Sequence, residues 1–302
     1  MVSPTKLARM DADVRAFLAK EFATGPNSQG HVMQLWDRYR DLQLPNDDFV
    51  AELTSGKKPS QFQRVWEMMV ARHLDAQGHK LVCLGRGPDF RFEHAGVTVW
   101  VEAIAPEPRG LPDDWLTGPS PGEFRVGYVP HDEVLLRWTA AFKEKWQKLQ
   151  GYQNKGIVGP GDGYVIAISG VQLGSIPMDH GISRLPLAVE TVFPVGPLAV
   201  VLNTETHRIE GSRVSERFLI RNANNAAVPT TPFVDPAYTG VSAVFGCSID
   251  RCADPELPAY VVHNPFARVH IPIGVLGTKI EEWIAEPAGT PGEFELAKRA
   301  SE

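Results

Sequence analysis

Glu67, Asp89 and Glu102 are three carboxylates carried within one stretch, residues 61–105, QFQRVWEMMVARHLDAQGHKLVCLGRGPDFRFEHAGVTVWVEAIA. Carboxylates brought within a few ångströms of one another repel, and a divalent cation relieves that repulsion. Mg²⁺ takes few carboxylates and keeps several waters. Such a cluster therefore suits lowering the pKa of an attacking water and stabilising charge on a phosphodiester. The chemistry on offer is metal-assisted hydrolysis.

The elements that must position these groups follow from periodicity. Trp66, Val70 and Leu74 fall at helical spacing, so Gln61 to Leu74 reads as an amphipathic helix that presents Glu67 and stops before Gly78. Lys80 to Leu84 reads as a short strand before the Gly85-Arg86-Gly87-Pro88 turn. Phe90 and Phe92 alternate with polar neighbours, His94-Ala95-Gly96 turns the chain, and Val97 to Val101 is β-branched and aromatic throughout. In such a hairpin Asp89 opens one strand and Glu102 closes its partner, which puts the two carboxylates side by side.

The order helix-Glu67, Pro88-Asp89-Phe90, hydrophobic strand, Val101-Glu102-Ala103 resembles the core of the PD-(D/E)XK, or restriction-endonuclease-like, nuclease superfamily over about residues 61–170. The resemblance implies an α/β fold with a mixed central sheet flanked by helices. It also implies a lysine two residues after the strand glutamate, where this chain has Ile104. Some members of the superfamily carry that lysine on the following helix.

Val134 to Tyr152, VLLRWTAAFKEKWQKLQGY, supplies candidates. Trp138, Phe142, Trp146 and Leu149 define an apolar stripe. At about 100° per residue Lys145 lies roughly 55° from its centre. Lys148 and Arg137 lie farther out on the same flank, and Lys143 on the other. Lys145 is the first choice for the relocated lysine and Lys148 the alternate. The competing reading is a solvated face whose lysine stems cover apolar surface.

Composition permits a large core: 302 residues with 43% hydrophobic content. No run approaches a membrane span and MVSPTKLARMDADVRAF lacks a signal-peptide core, so a soluble cytoplasmic protein without membrane association is expected. Cys83, Cys247 and Cys252 make neither a paired disulfide framework nor a four-ligand zinc site and read as reduced thiols; a Cys247, Cys252, His263 site is the weaker option. The net charge of −6 argues against a protein that coats DNA, while leaving room for a local basic cleft. Arg208, Arg213, Arg217 and Arg221 form either a phosphate-contacting strip or, with Glu210 and Glu216 among them, a salt-bridged surface.

Residues 1–58 read as a helical N-terminal extension (Ala12–Phe22, Gly30–Leu42, Asn46–Leu53), and residues 59–302 as a nuclease-like α/β domain with a strand-rich C-terminal elaboration. Pro106 to Pro130 reads as a long loop, a candidate lid. Tyr164–Ile168, Leu198–Leu202, Arg217–Ile220, Val241–Phe245 and Tyr260–His263 read as strands, with helices expected at Gly277–Ala285 and near Phe294–Ala300.

The expected function is metal-dependent phosphodiester hydrolysis of nucleic acid, DNA foremost, as an endonuclease of restriction or defence. Mg²⁺ or Mn²⁺ would be held by Asp89 and Glu102 with Glu67 completing or polarising the site. Lys145 or Lys148 would orient water or stabilise negative charge. Association with a second copy or a protein partner is compatible with this. The alternative is a non-catalytic nuclease-fold protein that binds nucleic acid or a protein, favoured by Ile104. An unrelated soluble enzyme is the third reading.

Overall fold

A computed structural model describes residues 3–21, 26–117, 120, 122–124, 126–174, 180–247, 259–290 and 293–299. The chain opens with α1 (Pro4–Glu21), α2 (Pro26–Asp41), α3 (Asp47–Leu53) and α4 (Lys58–Ala76). Asn46 caps α3 by accepting from the Phe49 amide at 2.8 Å, and Pro59 stands in the first turn of α4, where a missing N–H costs nothing. The helix expected from Gln61 is thus longer at both ends. Then follow β1 (Phe90–His94), β2 (Val97–Ile104), the short α5 (Asp113–Leu116), α6 (His131–Asn154) and β3 (Gly163–Ser169).

The second half holds α7 (Leu187–Val192), β4 (Val195–Leu202), β5 (Ile209–Glu216), β6 (Leu219–Arg221), β7 (Ala227–Pro229), β8 (Ala243–Cys247), β9 (Tyr260–His263), β10 (Glu281–Pro287) and β11 (Phe294–Arg299). Among the described residues the central sheet has seven strands in the order β1-β2-β3-β8-β9-β10-β11. β2, β3 and β8 run parallel, as do β9 and β10, while β1, β9 and β11 pair antiparallel with β2, β8 and β10 respectively. The protein is therefore α/β with a mixed central sheet flanked by helices. No helix among the described residues is long and apolar enough to cross a membrane.

Alternation along the strands divides the core between two sheet faces. Val99, Val101, Ala103, Val165, Ala167 and Phe245 pack in one cluster with Met10, Leu35, Trp36, Leu53 and Trp66 from α1–α4. Trp100, Ile104, Tyr164, Ile166, Ile168 and Val244 pack in the other with Val134, Trp138, Phe142 and Leu149 of α6 and Leu187 and Val189 of α7. Glu102 falls between Trp100 and Ile104 in this alternation, so its side chain enters the layer covered by α6.

Four expected elements differ. Lys80–Leu84 forms no strand: it makes a single antiparallel bridge, Val82 with Arg91. Gly85 and Gly87 at φ +67° and +103° turn the chain away, and Pro88 has no N–H to continue a ladder. The helices expected at Gly277–Ala285 and Phe294–Ala300 are instead the paired strands β10 and β11. Trp283, Ala285 and Leu296 alternate onto the α6 side of the sheet, and the open edge of β9 outweighs the helix propensity of Glu, Ala and Leu. The expected strand Arg217–Ile220 is interrupted, because Arg217 turns inward to Glu190 and Asp132 between β5 and β6.

Candidate active site

Asp89 stands just before β1, and since Phe90 pairs with Val101, Asp89 is level with Glu102 on β2. Its Oδ2 accepts from the Ala103 amide at 2.8 Å, which ties the carboxylate to the end of β2. Asp89, Glu102, Glu67, Lys145 and Lys148 all line one cleft of about 410 Å³, with Ser60, Gln63 and Arg64 of α4 on one wall and Arg137 and Glu144 of α6 on the other. Helix α4, the turn before β1, strand β2 and helix α6 thus place the five expected site residues Glu67, Asp89, Glu102, Lys145 and Lys148 around one cleft.

Lys145 lies nearer the middle of the buried stripe than expected. Trp138, Phe142, Lys145 and Leu149 are all buried, whereas Trp146 is only partly so, and the stripe centre shifts toward the lysine. Lys145 is buried because Glu102 is: Nζ donates to Glu102 Oε1 at 2.9 Å, with side-chain exposures of 6% and 3%. Lys148 Nζ, on a side chain 45% exposed, donates to the same oxygen at 3.2 Å. Tyr152 Oη donates to Glu102 Oε2 at 3.3 Å. An unpaired carboxylate in this apolar layer would cost several kcal/mol, on the order of the effective burial penalty per ion, so three donors on one α6 face account for its presence.

Glu67 is held from its own helix. Arg64 Nη1 donates to both Glu67 oxygens at 2.6 Å, and the same guanidinium reaches Glu52 on α3 through Nε and Nη2 at 3.0 and 2.5 Å. Gln63 Nε2 donates to Glu67 Oε1 at 2.9 Å and to the Ala103 carbonyl at 3.2 Å, while its Oε1 accepts from the Ala105 amide at 2.8 Å. Gln63 therefore replaces a strand neighbour for the end of β2 and connects Glu67 to the backbone that carries Glu102.

The electrostatics follow from this crowding. Burial, then the charges of Glu67 and Glu102, push the Asp89 carboxyl well above its usual range, against the pull of Lys145 and the Ala103 amide. Burial raises Glu67 as well, moderated by Arg64, Gln63 and Lys145. For Lys145 burial works against the charge, but the Glu102 and Asp89 carboxylates win and hold its pKa above the ordinary lysine value. Burial and the Glu102 charge also raise Tyr152. The direction of the Lys145 shift favours its ammonium form at neutral pH.

The donors offered by Asp89, Glu102 and Glu67 are carboxylate oxygens, the type a hard divalent cation takes. The Asp89 carboxyl is raised first by burial and then by the Glu67 and Glu102 charges, and a cation would offset both effects. Among the described residues no three His, Cys, Asp or Glu side chains gather on one point, and Glu102 is satisfied by ammonium and phenol donors. Donor type fits a cation, which would share the Glu102 carboxylate with its three donors, only one of which is on Oε2.

Gln63, Arg64 and Tyr152 were not anticipated. Gln63 precedes Glu67 by four residues, and Tyr152 follows Lys148 by four, so helical spacing carried a signal for both. Elsewhere, His263 Nε2 lies 2.6 Å from Glu282 Oε2, Cys247 is buried in β8, and Cys252 lies outside the described residues. Trp115 of α5 donates to the Leu173 carbonyl at 2.7 Å, anchoring one part of the 106–130 connection. Comparison of the chain with family models, curated proteins and solved structures gives no match.

Proposed function

We propose that the cleft hydrolyses phosphodiester bonds of nucleic acid, DNA foremost, with Mg²⁺ or Mn²⁺ as cofactor, as a restriction-endonuclease-like enzyme acting on foreign DNA. The observation that carries this reading is the convergence of Asp89, Glu102 and Lys145 from a turn, a strand and a helix onto one cleft, with the Asp89 carboxyl raised by burial and by the Glu67 and Glu102 charges. The local order is also in keeping with the resemblance: helix α4, the Val82 bridge segment, hairpin β1–β2, helix α6, and β3 parallel to β2.

In this reading Asp89 and Glu102 would hold the metal. When bound, a divalent ion supplies a water of lowered pKa and neutralises phosphate charge. Lys145, a cation at neutral pH, donates to a non-bridging phosphate oxygen or to the developing charge on the leaving oxygen. Lys148, more exposed and bound to the same Glu102 oxygen, keeps that carboxylate oriented when Lys145 turns to substrate. Glu67 polarises the site through Gln63, which grips the β2 end at Ala103 and Ala105.

A second reading has an observation of its own: Glu102 is fully paired with Lys145, Lys148 and Tyr152. That closed arrangement favours a non-catalytic protein that uses the nuclease-like cleft to bind nucleic acid or a protein partner. The deciding experiment is cleavage of linear, circular and single-stranded DNA with Mg²⁺ or Mn²⁺, comparing wild type with Asp89→Ala and Lys145→Ala. Metal-dependent cutting lost in both variants supports hydrolysis. A folded wild type that binds these substrates and cuts none supports the binding reading.

A further inference from the structure

Arg137 lies on the cleft wall formed by α6, two turns before Lys145, and is half-buried. Its Nε donates to the Glu107 backbone carbonyl at 2.8 Å, which fixes the guanidinium plane, and among the described residues it forms no ion pair. Arg109 lines the same part of the cleft and pairs with the Glu107 carboxylate at 2.8 Å. The Arg137 and Arg109 guanidiniums thus line one end of the cleft together with the Glu107 and Glu144 carboxylates, and among the described residues only Arg109 of the two is ion-paired. Burial, then the Arg109 charge, lower the Arg137 pKa, with Glu107 and Glu144 opposing. An oriented guanidinium with terminal N–H groups uncommitted is a receptor for a phosphate or carboxylate fork.

Eight residues of α6 separate Arg137 from Lys145, about 12 Å of helix rise. That is farther than one phosphate group reaches, so the two cations meet different phosphates of one strand. We propose that Arg137, with Arg109 beside it, forms a second phosphate subsite that holds a nucleic-acid strand at a phosphate beyond the one at Lys145. This rests on the phosphodiesterase reading and extends it: the substrate class is a polymer of several nucleotides, gripped along α6, rather than a nucleotide or a small diester.

The test uses the full chain and two readouts. The first is binding of a fluorescein-labelled single-stranded dodecanucleotide in metal-free buffer across a salt series. Loss of one phosphate contact makes the slope of log K against log salt shallower by about 0.7 for a single strand. Arg137→Gln is expected to show this change, Arg109→Gln a smaller one, and Arg137→Lys to keep most of the slope. The second is the ratio of kcat/KM for the dodecanucleotide to that for bis(p-nitrophenyl) phosphate with Mn²⁺, expected to fall about tenfold or more in Arg137→Gln through KM. An unchanged salt slope overturns the subsite, and so does an equal loss on both substrates, which a distorted cleft would produce. If wild type shows the slope difference from Arg137→Gln yet hydrolyses neither compound, the subsite stands and the hydrolase reading fails. If wild type does not bind the oligonucleotide, both fail.

Discussion

Lys145 of α6 and Glu102 of β2 form a buried ion pair, Nζ to Oε1 at 2.9 Å, within the apolar layer between the helix and the sheet. Lys145 is tolerated there because of Glu102, and Glu102 because of Lys145, Lys148 and Tyr152 together. Removing one partner of a buried pair typically costs about 3–5 kcal/mol, since the survivor is left desolvated. Lys145→Met is expected to lower stability in urea by roughly the low end of that range, because Lys148 and Tyr152 still reach Glu102. The double variant Lys145→Met/Glu102→Gln should recover at least half of the loss. A strictly additive cycle would show the pair to be energetically uncoupled.

On DNA cleavage, Asp89→Asn and Lys145→Met are each expected to reduce the metal-dependent rate by about 10²–10³-fold, the usual effect of removing a transition-state electrostatic contact. Lys148→Met should cost less than about tenfold, because its side chain is 45% exposed and its charge is screened by solvent. A larger loss at Lys148 than at Lys145 would exchange their roles. Initial rates on linear duplex DNA at saturating Mg²⁺ measure this.

Asp89 gives a stability prediction of opposite sign. Its folded-state pKa is raised, so the fold favours the protonated carboxyl. The stability this contributes is complete below the unfolded value near 3.8 and is lost as pH rises through the higher folded value. Asp89→Asn keeps an acceptor for the Ala103 amide and removes the charge. It should be more stable than wild type at pH 8, by about 1–2 kcal/mol, and nearly equal at pH 4. Added Mg²⁺ should raise the melting temperature of wild type and leave Asp89→Asn unmoved. A variant less stable than wild type at pH 8 without metal would refute the cost of burying that charge beside Glu67 and Glu102.

The N-terminal helices hold the reverse case. Burial acts to raise Asp11, but hydrogen bonds from Arg15, Trp36 and Arg40 prevail and bring its pKa down to about 2. A depressed carboxyl contributes stability above its unfolded value near 3.8, and that contribution disappears as pH falls through about 2. Asp11→Asn should cost about 1 kcal/mol at pH 7, the shift being discounted for solvent screening, and progressively less between pH 4 and pH 2. Chemical denaturation as a function of pH tests the slope. A difference independent of pH would assign the loss to packing instead.

Gly246 on β8 is required by proximity. A Cβ there would sit 2.7 Å from Ala188 Cβ of α7 and 3.1 Å from the Trp138 ring of α6. Gly246→Ala should destabilise the protein by about 1–3 kcal/mol through overpacking, read as a lower urea midpoint at unchanged slope. An unchanged midpoint would mean that α7 can move off the sheet.

The sequence by itself determined the hairpin β1–β2, the helices α4 and α6, and the candidate carboxylates and lysines, because each rests on local periodicity: Val97 to Val101 as a β-branched run, and Trp138, Phe142 and Leu149 as one stripe. It also held Lys145 close to that stripe. Only the tertiary structure decided that Lys145 enters the core, since this depends on Glu102 arriving opposite from a strand 43 residues earlier. The Gln63 clamp on Ala103 and Ala105 spans 40 and 42 residues and likewise has no local signature for its backbone partners. β10 and β11 read as helices in the sequence for the same reason: the local helix propensity of Glu, Ala and Leu is outweighed once Glu281 to Pro287 hydrogen-bonds to the open edge of β9. Short-range pattern specifies which face a residue occupies on its own element; which charge or strand edge meets that face is a property of the assembled sheet and helices.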